Sequence, residues 1–535
     1  MSVGARIRRL RSVVPGAVVL LGLLLLPGRG LAVSHGPEWI PADDPIYADV
    51  RALVLEGTLP SWTWSLRPVT RMELARQLLP SVTANEGLRS SARTRVEREL
   101  AAELTELGAA GLTEVPPAVS IPCGESEIQL RPYAWVDGVW EDGEVDWGPQ
   151  ARVGLRGTAY VSPQLTLHES FFVGDVPHGR AFADALINHT DLLLTVDEAY
   201  VGYQASGLRA RIGRARQGWG PQIDGSLLLD AGSPSFDHLD VELPLGRLRF
   251  RTLTGVLQSS VEKNLAAHRL EWRTNGGWEV GLSERAIFHG SPWRALYLIG
   301  IVPTRSSNGC RDRMRRRRPK RPRSATTSSI NSTSCIGRRI AGSGRPSCST
   351  MWRRRPPTCP RDSASCSEVR CAGREQELTV GVEAAKVYVY TYSVYYDDSD
   401  WTHQNAPLGY PLGPDVESVR LSARWQPSPV WGGEGRIHLT RRGEGRLGQA
   451  WYPADDPRAS QNSNRPAYQL SGRVESRWGA AASIQYEPSA ATRCELGASV
   501  DWIENRDHRA HASMPVGVCR QACGCTGRSP ARTTG

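Results

Sequence analysis

The run Tyr395-Tyr396-Asp397-Asp398-Ser399-Asp400-Trp401-Thr402-His403 sets three aromatic rings beside three carboxylates and an imidazole. Aromatic faces suit the apolar faces of sugar rings, and carboxylates accept hydrogen bonds from sugar hydroxyls. This is the chemistry of saccharide recognition, although a solvated loop whose rings belong to a membrane-interface belt would have the same composition. Trp219 and Asp224, in Gly218-Trp219-Gly220-Pro221-Gln222-Ile223-Asp224-Gly225, either line a plug or pocket or stand in a tight turn whose Gly and Pro fix the backbone. Asp397, Asp398 and Asp400 are oxygen donors of the kind calcium takes, but nothing completes a ligand set, and we expect no metal and no cofactor.

Catalytic readings are weaker. Asp197 and Glu198 with Glu284 would be a carboxylate pair for glycoside hydrolysis only at a defined separation. His268 or Ser283 would suit a lipase, yet no Gly-x-Ser-x-Gly surrounds a candidate nucleophile. Inward charges in a barrel commonly pair with one another, so we read the chain as not an enzyme.

The elements that carry these residues change character along the chain. Arg6, Arg8, Arg9 and Arg11 precede an apolar run from Val13 to Leu26, and Gly30-Leu31-Ala32 supplies small residues at a cleavage site. Residues 1–32 therefore read as a signal peptide, too short in its apolar part for a comfortable membrane helix. Residues 37–115 read as a small helical region. Asp44-Pro45 opens one helix, which Gly57 stops; Thr70-Arg71-Met72-Glu73 is a capping box for a second; a third runs from Ser91 to Leu107.

From Glu127 the period becomes two. Val153, Leu155, Gly157, Ala159 and Val161 alternate with Arg152, Gly154, Arg156, Thr158 and Tyr160; Val419, Leu421, Ala423 and Trp425 alternate with Ser418, Arg420, Ser422 and Arg424; Tyr468, Leu470, Gly472 and Val474 alternate with Gln469, Ser471, Arg473 and Glu475. One face is apolar or small and the other repeatedly charged, with Trp and Tyr near the ends. That pattern predicts a mostly β fold: a transmembrane antiparallel β-barrel with a polar interior, closed because lipid offers the backbone no partners. About sixteen strand candidates are legible.

Two segments break the pattern. Residues 305–374 hold 19 Lys/Arg against 3 Asp/Glu, so this stretch carries +16 where the whole chain carries +10. The rest of the protein is therefore acidic, and its basicity is local. Trp352 is the only aromatic residue between 304 and 374, and six of the eleven cysteines lie there. Met351-Trp352 have one codon each, and for G-ending codons the neighbouring reading frame turns Ser349-Thr350-Met351-Trp352-Arg353 into Asp-Asp-Val-Ala, a sensible strand end. We read residues 304–375 as a frameshift product between compensating shifts, with room for two or more strands in the proper frame. The alternative is a genuine basic insertion that binds nucleic acid or anionic lipid. Residues 511–535, with Cys519, Cys523 and Cys525, lose the pattern too, and no His at ligand spacing makes these cysteines a metal site. Strand-rich sequence is thus confined to 127–303 and 376–510, and the chain as written is expected to lack interior strands and its closing strand.

Several blocks resemble the Wzi-type capsule assembly proteins of bacterial outer membranes. They are Val196-Asp197-Glu198-Ala199-Tyr200-Val201, Arg211-Ile212-Gly213-Arg214, Gly218-Trp219-Gly220-Pro221, Gly225-Ser226-Leu227-Leu228-Leu229 and Ser233-Pro234-Ser235-Phe236-Asp237, followed by Ala267-His268-Arg269-Leu270, Gly281-Leu282-Ser283-Glu284, Tyr390-Thr391-Tyr392 and Pro407-Leu408-Gly409-Tyr410-Pro411-Leu412-Gly413-Pro414-Asp415. The resemblance covers 37–303 and 376–510. It departs at Ala231-Gly232, where the family has Asn-Ala, and in the tail. It implies a barrel of about eighteen strands, helices at the periplasmic end, and extracellular loops that hold exported capsular or extracellular polysaccharide. Outer-membrane lipid would be the other partner, with no nucleic acid. A porin-like channel or export pore remains the alternative reading.

Overall fold

The computed structural model describes residues 35–59, 66–84, 90–112, 119–124, 126–141, 150–174, 185–186, 193–220, 225–273, 278–293, 327–340, 347–354, 362–372, 377–392, 400–449, 469–489, 492–510 and 514–526. The predicted signal peptide lies outside them.

The chain enters through four short helices: α1 (Ile46–Glu56), α2 (Arg71–Ala84), α3 (Ser91–Glu99) and α4 (Ala101–Glu106). The Asp44 carboxylate accepts the Ile46 N–H at 2.9 Å, and Gly57 ends α1 at φ 78°, a conformation without penalty only for glycine. Thr70 Oγ1 accepts the Glu73 N–H at 3.2 Å, half of the predicted capping box. The other half is absent because the Glu73 carboxylate leaves the helix for the barrel wall. The single helix expected over Ser91 to Leu107 is two, divided at Leu100. Val50, Leu53, Leu74, Leu78, Val96 and Leu104 form the shared apolar core.

Eighteen of the described strands pair antiparallel in one closed ring. They are β1 (Ser126–Glu141), β2 (Gln150–Ser162), β3 (Leu165–Gly174), β4 (Leu193–Ala205), β5 (Leu208–Ala215), β6 (Phe236–Leu245), β7 (Leu248–Gln258), β8 (Lys263–Arg273), β9 (Trp278–His289), β10 (Thr327–Ile340), β11 (Ser347–Arg354), β12 (Asp362–Ala372), β13 (Glu377–Val387), β14 (Val416–Gln426), β15 (Trp431–Arg442), β16 (Glu475–Ser489), β17 (Thr492–Glu504) and β18 (Met514–Thr526). The final pairing, β18 with β1, runs from Val518↔Glu141 to Thr526↔Tyr133. Two-residue turns at Ser206-Gly207 and Gly246-Arg247 join hairpins at one end, with φ 80° and 64° at the glycines; the long connections lie at the other end.

The alternation sorts the faces as expected. Val153 and Ile437 are 63% and 60% exposed on the outside, whereas Arg211 and Arg251 are 1% exposed within. Trp272, Trp425, Trp431 and Tyr486 are exposed near the short-turn end, and Trp478 and Trp502 near the long-loop end. An apolar band between two aromatic rows is the surface a lipid bilayer requires.

Three expectations are corrected. Of the alternating stretch Tyr468–Glu475, residues 469–474 are not a strand: β16 begins only at Glu475, Gly472 sits at φ 59°, and the Ser471 N–H donates to Asp415 Oδ1 at 3.1 Å. Residues 304–375 contain three ring strands, β10 to β12, and the tail contains β18, so the expected open edges are absent among the described residues. Ladder pairing uses backbone donors and acceptors alone, so a ring closes even where the written side chains do not alternate.

Candidate functional site

The long loops do not stand away from the barrel. The connection from β5 to β6 and that from β13 to β14 turn into the lumen and bury Trp219, Leu227, Leu228, Leu229, Tyr392, Trp401, Leu408 and Tyr410 against wall residues Leu253, Leu265 and Ile287. Leu66–Arg67, from the segment between α1 and α2, pairs with Gly218–Trp219, so the helical region and the loops meet inside the ring. Arg285, on β9, ties the plug to the wall. Its Nη1 donates to Leu227 O at 2.6 Å and Leu228 O at 3.2 Å, and its guanidinium lies 4.3 Å from the Trp401 ring centroid and 5.7 Å from that of Tyr392. Packing is close: a Cβ on Gly409 would stand 2.5 Å from the Tyr392 hydroxyl, which accepts the Tyr410 N–H at 2.7 Å.

This plug decides where the sequence-predicted saccharide residues lie. Trp219 and Trp401 are buried, at 1% and 6% exposure. The Trp401 indole N–H donates to Leu228 O at 3.0 Å, and the Trp219 backbone N–H donates to Leu229 O at 2.9 Å while Arg251 lies 5.7 Å from its ring centroid. The His403 Nε2 meets Ser235 O at 3.1 Å, and burial pushes its imidazole below the ordinary value, so it stays neutral. Trp219 thus lies in a plug, one of the two readings its sequence allowed, and inward folding of the loops places Trp401 and His403, read as candidate saccharide contacts, beside it. Asp400 sits at the rim, where its Oδ1 accepts from Lys263 Nζ at 2.6 Å and its Oδ2 from Thr402 Oγ1 at 2.8 Å. Tyr395, Tyr396, Asp397, Asp398 and Asp224 lie outside the described residues. Within the plug, the Asp230 carboxylate accepts the N–H groups of Ser226 and Gly232 at 3.0 and 2.9 Å; burial nonetheless pushes its pKa up to about 6.

The helices close the short-turn end through ion pairs with the wall. Glu73 meets Arg209 and, at 2.6 Å, Arg249. Asp49 meets Arg95 and, at 3.3 Å, Arg424. Burial alone would raise the Asp49 pKa, but Arg95 and Arg424 outweigh it and hold the carboxyl below its ordinary range. Glu38 accepts from the Tyr160 hydroxyl and lies 3.3 Å from Arg131. The Trp39 ring lies 5.7 Å from that of Tyr200, edge to face, and 5.5 Å from the Arg211 guanidinium.

A second region of the lumen is hollow. Between the helices and the wall of β1 to β3 lies a cavity of about 420 Å³, lined among others by Tyr133, Trp135, Arg152, Arg156 and Phe172. The inward direction of Arg152 and Arg156 was legible in the alternation, but their place in a void was not.

Asp197 holds Arg216 at 2.9 Å, and Glu198 is 3.8 Å from His168, which stacks on Tyr200. Ser283 accepts from Arg269 Nη1 at 2.9 Å, while Glu284 faces His268 across β8 and β9 in register. Among the described residues, no three His, Cys, Asp or Glu side chains are grouped to hold a metal.

No protein-family model matches this chain, and no curated protein matches it in sequence. Solved structures match it in fold. OprD-type proteins of Pseudomonas aeruginosa cover about three quarters of it: OccD3 at 9% identity over 75% of this chain and 92% of its own, TM-score 0.42, and OpdK at 11% identity over 74% and 98%, TM-score 0.40. Wzi, an outer-membrane protein of Escherichia coli involved in group 1 capsule assembly and described as a carbohydrate-binding β-barrel, aligns with 92% of this chain and 99% of its own at 13% identity, TM-score 0.55. The resemblance to Wzi-type barrels read from the sequence blocks is therefore also a resemblance of fold, over nearly the whole chain.

Proposed function

We propose that the protein is an outer-membrane barrel that binds exported capsular or extracellular polysaccharide and holds it at the cell surface, without catalysis. The plug carries this reading. A diffusion pore needs a wide polar path, whereas here two long loops spend apolar side chains on filling the lumen beside β6 to β9, and Arg285 fixes them there. The exposed apolar band and its aromatic rows support a lipid environment. The Escherichia coli Wzi barrel, similar in fold, is described as binding carbohydrate. In this reading Tyr395, Tyr396, Asp397, Asp398 and Asp400, with Asp224, supply the ligand contacts, and Trp219, Trp401 and His403 brace the loop bases behind them. The signal peptide delivers the chain and is removed.

The test pairs planar-bilayer conductance with binding of purified capsular polysaccharide to the full-length protein in detergent. Expected are silent bilayers and saturable binding that weakens about tenfold in a Tyr395→Ala, Tyr396→Ala double variant. Steady conductance without polysaccharide binding would overturn the proposal in favour of a pore.

A further inference from the structure

The hollow half of the lumen is built around two arginines. Arg152, Gly154 and Arg156 follow one another on the inward face of β2, and the Tyr133 ring lies flat across Gly154, where a Cβ would come within 2.4 Å of it. The guanidiniums rest on aromatic rings, Arg156 at 5.1 Å from the Tyr133 centroid and Arg152 at 5.5 Å from that of Phe172. Among the described residues neither has a carboxylate within ion-pair distance, and the Arg152 Nε is buried without any hydrogen-bond partner. The acids along the same cavity are engaged elsewhere: Glu38 with Arg131, Asp43 and Asp197 with Arg216, Asp49 with Arg95, Glu99 with Arg71 and Glu487 with Arg493. Asp44 acts on Arg156 only at longer range and caps α1. Buried cations normally hold a partner, because desolvation costs more than packing returns. Arg152 and Arg156, half-buried and without one, face a cavity of about 420 Å³ and present donors that suit a carboxylate-bearing ligand.

The rings say what surrounds the anion. Trp135 stands in register with Arg152 and, on its other side, with Gly524, which carries no side chain to cover it. An indole face with two forked donors suits a flat, partly apolar molecule bearing a carboxylate better than a bare ion. Ser489 and Thr492, at the hairpin between β16 and β17, place the mouth at the end the helices occupy. We propose that this cavity is a second saccharide site, specific for a carboxylate-bearing sugar such as a uronic acid unit, with Arg152 and Arg156 gripping the carboxylate and Trp135 stacking on the ring. The proposal rests on the polysaccharide-binding reading and narrows it to acidic polymers.

Calorimetry on the full-length protein in detergent would compare digalacturonate, the neutral digalactose of the same linkage, and inorganic phosphate. Digalacturonate should bind at least about tenfold more tightly than either. Arg152→Gln with Arg156→Gln should erase the preference while the barrel keeps its heat-modifiable migration on gels. Equal affinity for the neutral sugar, phosphate binding as tight as digalacturonate, or a folded Gln variant that keeps the preference would each overturn the inference. The three-probe comparison on the unmodified protein decides even if the variant does not fold. No acid preference in the unmodified protein, with polysaccharide binding intact, sinks this site alone, whereas absence of all polysaccharide binding sinks the surface-attachment reading.

Discussion

The two halves of the lumen solve the same problem in opposite ways. Beside β6 to β9 the barrel is filled by apolar side chains, and the arginine there, Arg285, spends its donors on loop carbonyls and its face on Trp401. Beside β1 to β3 Arg152 and Arg156 form no ion pair among the described residues and the space stays open. A guanidinium whose hydrogen bonds are made is part of the structure; one left unsatisfied over a void is capacity for a ligand. The difference implies that substitutions on the plug side are paid in stability and those on the cavity side in binding.

The sharpest way to break that contrast is Trp401→Ala. It removes a buried indole, strands Leu228 O with one donor fewer and uncovers Arg285, for an expected cost of about 3–5 kcal/mol. Protease nicking of the loop before β14 and new bilayer conductance would report it. If the variant stays silent and resistant, the plug is not what closes the lumen.

Next in size is the clamp between helix and wall. Asp49→Asn would take from Arg424 its carboxylate and leave Arg95 with Glu487 at 3.8 Å, at about 3 kcal/mol. The pH dependence separates the two regions by sign. The Asp49 pKa is lowered in the fold, so its contribution is full above the ordinary carboxylate range near pH 4 and is lost as pH falls through the lowered value. Asp230, raised to about 6, does the reverse: its buried charge is a penalty above about pH 6 that vanishes as pH falls toward 4. Acidification from pH 7 to pH 4.5 should therefore tighten the plug, by about 1–2 kcal/mol, before it loosens the helices. Limited proteolysis at pH 7, 4.5 and 3 checks the order, and simultaneous release of both regions would refute it.

How much of this could be read beforehand depended on which physics was local. The strands around Val153 and Val419 were legible because lipid and lumen select opposite polarity at adjacent residues, a contrast written directly into the alternation. Residues 469–474 carry the same alternation and are not a strand, since Asp415, more than fifty positions away, captures Ser471. Thr70 was legible as a cap, but Glu73 was not legible as a partner of Arg249, because capping is decided within four residues and the ion pair is not. Trp219 and Trp401 look the same in sequence whether their loops point out to a sugar or fold in to a core. Arg152 and Arg156 were placed on the inner face correctly, while their lack of a partner is a property of the assembled ring.

The smallest expected effect is also the most direct check on the claim that cavity-side arginines are cheap to remove. Arg98 lines the hollow half, and its one hydrogen bond among the described residues is from Nη2 to Pro429 O at 3.3 Å. Burial lowers its pKa, with Glu487 pulling the other way, so its charge is held at some cost and returns little. Arg98→Ala should therefore change stability by less than about 1 kcal/mol, against the several lost when Arg285 is truncated, because Arg285 would leave two buried carbonyls short of a donor. Urea unfolding of the two variants side by side in the same detergent measures the gap. An Arg98→Ala loss equal to that of Arg285→Ala would mean that the hollow side is as tightly built as the plug.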